Sequence, residues 1–253
     1  MTAARGEVLW PPPADALEAT AMGRFATAHG FRSYADLHRW SVVDLDGFWA
    51  AVAAELGVRW HGGTPATALA GDRMPGASWF PGGQLNYAER ALAAPGTVVA
   101  RSQTRGPVVL GPEDLRQQVA RCAAGLRRLG VRRGDRVAAY APNTPETLVA
   151  FLATASIGAV WSSCAPEFGT RSVVDRFGQI EPVVLLAVDG YAYGDKVVDR
   201  REEVDRVVEA LPTVRHVVGV RYLGTGADGW SPLLAGPDPW PPTFEPVPFD
   251  HPL

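Results

Sequence analysis

The 253-residue sequence is short of the residues that most often carry chemistry. It has two cysteines, Cys122 and Cys164, whose spacing gives neither a disulfide framework nor a zinc pattern and fits a reducing cytoplasm. The five histidines, His29, His38, His61, His216 and His251, lack the spacing of a metal site, and His216 sits among valines as a structural residue would. Lysine is scarcer still: of 24 Lys and Arg residues only Lys196 is lysine. With 27 acidic residues and a net charge of -3, no basic stripe of the kind that grips nucleic acid is present.

Long hydrophobic runs are missing too. The longest, 148–161, is interrupted by Thr154, Ser156 and Gly158 and is too short to span a bilayer. Residues 1–7 have no apolar signal core. The sequence therefore predicts a cytoplasmic protein with no membrane and no nucleic-acid partner. No P-loop lysine motif, H-E-x-x-H or G-x-S-x-G occurs, and no carboxylate pair beside a base suggests self-contained acid/base work.

What is present is 47% hydrophobic residues, enough for a sizeable core. Apolar residues at helical spacing predict helices over 14–28, 34–40, 43–56 and 86–94, with a connecting loop over 61–77. Two short extended runs, 97–101 and 107–110, read as a hairpin. Gly111-Pro112-Glu113-Asp114 opens a helix that Gly130 closes.

Then strands and helices alternate. Strands are expected at 136–140, 159–162, 183–188 and 214–220. Helices are expected from a Thr144 cap to 157, from a Thr170 cap through Phe177, and over 196–211. This is the signature of an α/β fold, a mostly parallel sheet with helices on both faces. The expected division is a helical extension over 1–96, the α/β subdomain over 97–223, and a Pro/Gly-rich run over 224–253 with little periodic structure.

Ligands of such sheets gather at the carboxyl ends of the strands. Ser162-Ser163-Cys164-Ala165-Pro166 lies at one such end, and the helix start at Thr170 offers amides to an anion; a plain, well-capped turn is the competing reading. The stretch 189–196 lies at another, glycine-rich and bearing two tyrosines with Lys196, whose ammonium either meets a phosphate or is simply solvated. Gly224-Thr225-Gly226-Ala227-Asp228-Gly229 fits the G-x-G-x-x-G dinucleotide pattern. Trp230-Ser231-Pro232 follows it where a helix should open, so a surface turn is expected.

The segment GVRRGDRVAAYAPNTPETLVAFLATASIGAVWSSCAPEFGTRSVVDRFGQIEP resembles the first subdomain of the acyl-adenylate-forming ligases. Leu9-Trp10-Pro11, His38-Arg39-Trp40-Ser41, Phe48-Trp49, Trp79-Phe80-Pro81-Gly82-Gly83 and Leu85-Asn86-Tyr87-Ala88-Glu89 agree, so the resemblance covers nearly the whole chain. The wording around WSSCAPEFG and RFGQIEP is most similar to the acetoacetate–CoA ligase branch. The resemblance implies a two-step reaction. A carboxylate, here acetoacetate, attacks the α-phosphorus of Mg2+-bound ATP, and the thiol of coenzyme A then displaces AMP.

It also implies that the phosphate loop, adenine segment, ribose aspartate and adenylation lysine lie beyond Leu253. The expectation is thus an N-terminal fragment with no catalytic residue and no metal ligand, inactive alone. Lys196 is in the wrong subdomain to be the adenylation lysine. The turn of Pro166, Glu167, Phe168 and Gly169 corresponds to one near coenzyme A in the relatives. The turn of Tyr193 to Lys196 corresponds to one offering cations to its nucleotide phosphate, with Tyr193 where an arginine is expected. A fragment acting on acetate, propionate or butyrate, or a binding module without catalysis, are the alternatives.

Overall fold

The computed structural model describes Gly6, residues 8–237 and residues 239–253; apart from Gly6, the segment read for a signal core lies outside the described residues. Two compact units emerge, Met1–Gly83 and Gln84–Leu253.

In the first unit, polar side chains decide where helices start. The helix expected over 14–28 is two helices, α1 (Ala16–Ala19) and α2 (Ala21–Ala28). Thr20 between them is extended, and its hydroxyl accepts the Gly23 amide at 3.0 Å, a cap that competes with a continuous helix. Ser33 caps α3 (Tyr34–Val43) through the Asp36 amide, and Asp44 caps α4 (Leu45–Glu55) through the Gly47 amide. Phe25, Ala26 and Leu37 form a small core with Phe31, Trp40, Phe48 and Val52 packed around it. The loop expected over 61–77 contains β1 (Leu69–Ala70), which pairs antiparallel with β2 (Ser78–Trp79) just beyond it.

The second unit begins with β3 (Gln84–Leu85) and α5 (Tyr87–Leu92). The hairpin of β4 (Val98–Ala100) and β5 (Val108–Leu110) follows, then α6 (Pro112–Arg128), with Pro112 in the first turn and Gly130 at φ 85° behind it. The expected alternation comes next: β6 (Arg136–Tyr140), α7 (Pro145–Ser156), β7 (Val160–Cys164), α8 (Thr170–Phe177) and β8 (Val184–Val188).

After β8 the chain departs from expectation. Residues 196–199 belong not to a helix but to a hairpin of β9 (Gly190–Tyr193) and β10 (Lys196–Asp199). Gly194, at φ 56°, turns the chain back, and Tyr191, Val197 and Val198 suit extended backbone. Helix α9 (Arg201–Ala210) starts only afterwards, and β11 (His216–Val220) completes the sheet. Thr170 is likewise not the cap of α8: extended Gly169 holds that place, without a side-chain bond.

The sheet order is β11-β8-β6-β7, all parallel. Every residue of β8 is buried, which explains its unbroken Val-Leu-Leu-Ala-Val sequence. Side chains alternate across the sheet. Val137, Ala139 and Leu186 pack with Val119, Leu126, Val149 and Ala153 of α6 and α7. Ala138, Tyr140 and Leu185 face Val173, Phe177 and Val207 of α8 and α9.

The run 224–253 is more ordered than expected. It contains α10 (Trp230–Leu234) and β12 (Val247–Pro248), which pairs antiparallel with β3. Trp230-Ser231-Pro232 does open a helix, because a proline in the first turn forfeits no internal hydrogen bond. Helix α10 lies so close to α6 that a Cβ on Gly125 would stand 2.2 Å from the Leu233 carbonyl oxygen.

Candidate functional site

Two turns at the carboxyl ends of the sheet carry the six residues singled out from the sequence. The first joins β7 to α8. Pro166 is buried, Phe168 is half-buried, and Glu167 and Gly169 are exposed. The Phe168 amide donates to the Ala165 carbonyl at 3.1 Å, closing the turn. Arg176 of α8 lies over the Phe168 ring, 5.0 Å from its centroid. From the end of β6, the fully buried Tyr140 directs its hydroxyl at the Pro166 carbonyl, 2.9 Å away, and at that of Phe168. Burial raises the Cys164 thiol pKa more than Arg176 lowers it, so this cysteine, packed in the core with Tyr140 and Val173, stays protonated.

The second turn is the tip of the β9–β10 hairpin. Tyr193 and Lys196 are exposed and stand opposite each other in register. Among the described residues, no ion pair or hydrogen bond engages the Lys196 side chain. The backbone of the tip is braced from the β4–β5 turn: Ala192 N–H donates to Thr104 Oγ1 and Gly194 N–H to Gln103 Oε1, each at 2.9 Å. At the hairpin's base Arg200 lies 3.4 Å from Glu203 and 5.7 Å from the Tyr191 ring centroid. Asp199 hydrogen-bonds to Arg201 there, which lowers its carboxyl pKa to about 2.

The G-x-G-x-x-G stretch meets an anion, but one from its own chain. The Asp189 carboxylate, 5% exposed at the end of β8, accepts the amides of Leu223 (2.7 Å), Thr225 (2.8 Å) and Gly226 (2.9 Å). A Cβ on Gly226 would fall 2.6 Å from the Asp189 Cβ, and one on Gly229 would fall 2.6 Å from the Gly219 amide. The stretch is the expected surface turn, with Gly224, Thr225, Ala227 and Asp228 exposed, but its two inner glycines pack against the sheet and its anion-binding amides are already occupied.

A cavity of about 450 Å³ lies elsewhere, lined by Arg101, Asn143, Leu148, Phe151 and Trp161 among others, and includes none of the six predicted residues. Beside it, Arg105 and Glu146 form an ion pair. Burial would raise the Glu146 carboxyl pKa, yet Arg105 brings it below its usual value. Among the described residues no three His, Cys, Asp or Glu side chains converge on a metal position, and no helix is long and apolar enough to cross a membrane.

Sequence reasoning missed Tyr140, Gln103 and Thr104, because their partners lie 26 to 91 residues away along the chain. The one signal was Tyr140's place at a strand's carboxyl end.

The profile of AMP-binding enzymes matches residues 100–251. The chain belongs to the AMP-binding enzyme family. A second profile, the acetyl-coenzyme A synthetase N-terminus, matches residues 34–91. The chain is 40% identical to acetoacetyl-coenzyme A synthetase of Rhizobium meliloti (strain 1021), across 97% of its own length and 40% of that relative's. It is 35% identical to acetoacetyl-CoA synthetase of Macaca fascicularis, across 98% and 40%. The solved structure of acetoacetyl-CoA synthetase from Streptomyces lividans superposes with a TM-score of 0.89 at 47% identity, again over 97% of this chain and 40% of that one. This member of the family therefore spans about 40% of the length of the relatives it matches. The resemblance and the α/β fold read from the sequence both hold.

Proposed function

We propose that residues 1–253 form the N-terminal scaffold of an ATP-dependent acetoacetate–CoA ligase and supply part of its coenzyme A side. The observation that carries this reading is the superposition, at 47% identity, on an acetoacetyl-CoA synthetase. In this reading, 1–96 is the acetyl-CoA synthetase-type extension, 97–223 the first α/β subdomain, and 224–253 a run toward the phosphate loop. The two free, buried cysteines agree with a cytoplasmic setting.

The residues present fit the nucleotide end of coenzyme A. Lys196 offers an unengaged ammonium to a phosphate, Tyr193 an exposed ring, and the 166–169 turn two exposed positions, Glu167 and Gly169, at a strand end. When bound, the coenzyme supplies the thiol that accepts the acyl group; this chain's residues only hold and orient it. They do not fit Mg2+-ATP. The loop that most resembles a phosphate cradle is filled by Asp189, and no cluster of ligands converges on a metal position among the described residues. No adenylation step is assigned to residues 1–253.

The test is pyrophosphate release by the 253-residue chain supplied with ATP, Mg2+ and acetoacetate. Release at the background rate is expected, and sustained turnover would refute the assignment. Titration calorimetry with coenzyme A then examines the phosphate contact. Lys196→Ala should weaken binding about two- to fivefold, the value of one exposed ion pair, and the difference should shrink in high salt. Equal affinity would remove Lys196 from the site.

A further inference from the structure

Tyr140 sits between the two turns. Its strand, β6, is flanked by β7 and β8, so the strand ends that launch the turns are about 10 Å apart, two strand spacings, with Tyr140 in the middle. On one side its hydroxyl reaches the Pro166 and Phe168 carbonyls. On the other lie Tyr191, Arg200 and Glu203, at the base of the hairpin that carries Lys196.

The ring and the hydroxyl have separable tasks. The ring fills the core beside Val173, Phe177 and Val207, which a phenylalanine would do equally well. The hydroxyl reaches past that core and touches only the backbone of one turn. Burial raises the phenol's pKa above its usual value, so it remains a donor across the physiological range.

We propose that Tyr140 is a positioning residue whose hydroxyl holds the 166–169 turn in the conformation that meets coenzyme A. This rests on reading that turn as part of the coenzyme A side. One proton shared between two carbonyls ties both halves of the turn to the central strand. The turn has one further internal backbone bond, from the Phe168 amide to Ala165. Removing the hydroxyl leaves the strand in place and frees the turn.

The experiment compares the 253-residue chain with Tyr140→Phe, by amide hydrogen exchange and by calorimetry with coenzyme A. Exchange at the Phe168 amide should accelerate about tenfold, the value of one hydrogen bond, while the amides of β6 and β8 keep their rates. The dissociation constant for coenzyme A should rise about three- to tenfold. Unchanged exchange at Phe168, or equal acceleration throughout β6 and β8, would overturn the proposal, the latter because it marks general destabilisation. If the unmodified chain binds no coenzyme A, the coenzyme reading falls and with it the functional half of the proposal; exchange at Phe168 still decides whether the hydroxyl tethers the turn.

Discussion

Asn86→Asp should lower the unfolding free energy by about 3–5 kcal/mol, measured by denaturant titration at neutral pH. Asn86 is 2% exposed and uses its whole amide. Its oxygen accepts the Ala88 (3.0 Å) and Glu89 (3.3 Å) amides and so starts α5. Its nitrogen donates to the Ala155 carbonyl at 2.9 Å and the Glu245 carbonyl at 2.8 Å. Aspartate is one of the best capping residues, so the helix start survives the change. The second oxygen, however, would face two carbonyls with no proton between them. The buried carboxyl is then driven to bind a proton, and the variant should recover part of its stability as pH falls. A loss below about 1 kcal/mol, the value of one ordinary hydrogen bond, would show that the link from α5 to α7 and Glu245 contributes little.

Asp189→Asn should cost about 2–4 kcal/mol at pH 7, because three amides converge on a charge that the amide side chain lacks. Burial alone would raise this carboxyl's pKa, but the hydrogen bonds from Leu223, Gly226 and Thr225 outweigh it and bring it below its ordinary 3.8. A group with a depressed native pKa adds stability above its unfolded value and loses it as pH falls through the native one. The gap between the two proteins should therefore be constant from pH 7 to about pH 5 and close below about pH 4. A gap that persists undiminished at pH 3 would mean that shape, and not charge, fixes the loop.

The sheet was readable because its strands announce themselves. Val184–Val188 is buried at every position, and β6 alternates between two cores that each need apolar side chains. Helix starts were readable where the cap is local, as at Thr144, whose hydroxyl accepts the Thr147 amide. Errors arose where distance along the chain decides the outcome. Residues 196–199 hold enough valine and charge for either a helix or a strand, and the turn at Gly194 with its partner strand settles it. The prolines after 236 suggested a loose run, yet Glu245, Val247 and His251 each find a partner far back in sequence. The glycine motif, read as a surface turn, has amides that do hold an anion. No local pattern could reveal that Asp189 already satisfies them.

The six candidate positions show the same limit. Sequence places them at strand ends, which is where they are. It gives only the strand-end place of Tyr140 and nothing of Gln103 and Thr104, the three residues that hold the two turns from behind.

The ties of the last residues bear on where this polypeptide tolerates cutting. Glu245 donates its amide to Ser156, Val247 pairs with Leu85, and the His251 ring lies 2.8 Å from the Gly158 carbonyl oxygen. Those three stitches close a seam over the C-terminal end of α7. A truncation that spared every strand of the parallel sheet but stopped before Phe244 would still unpick that seam, so the shortest sound version of the second unit runs through His251.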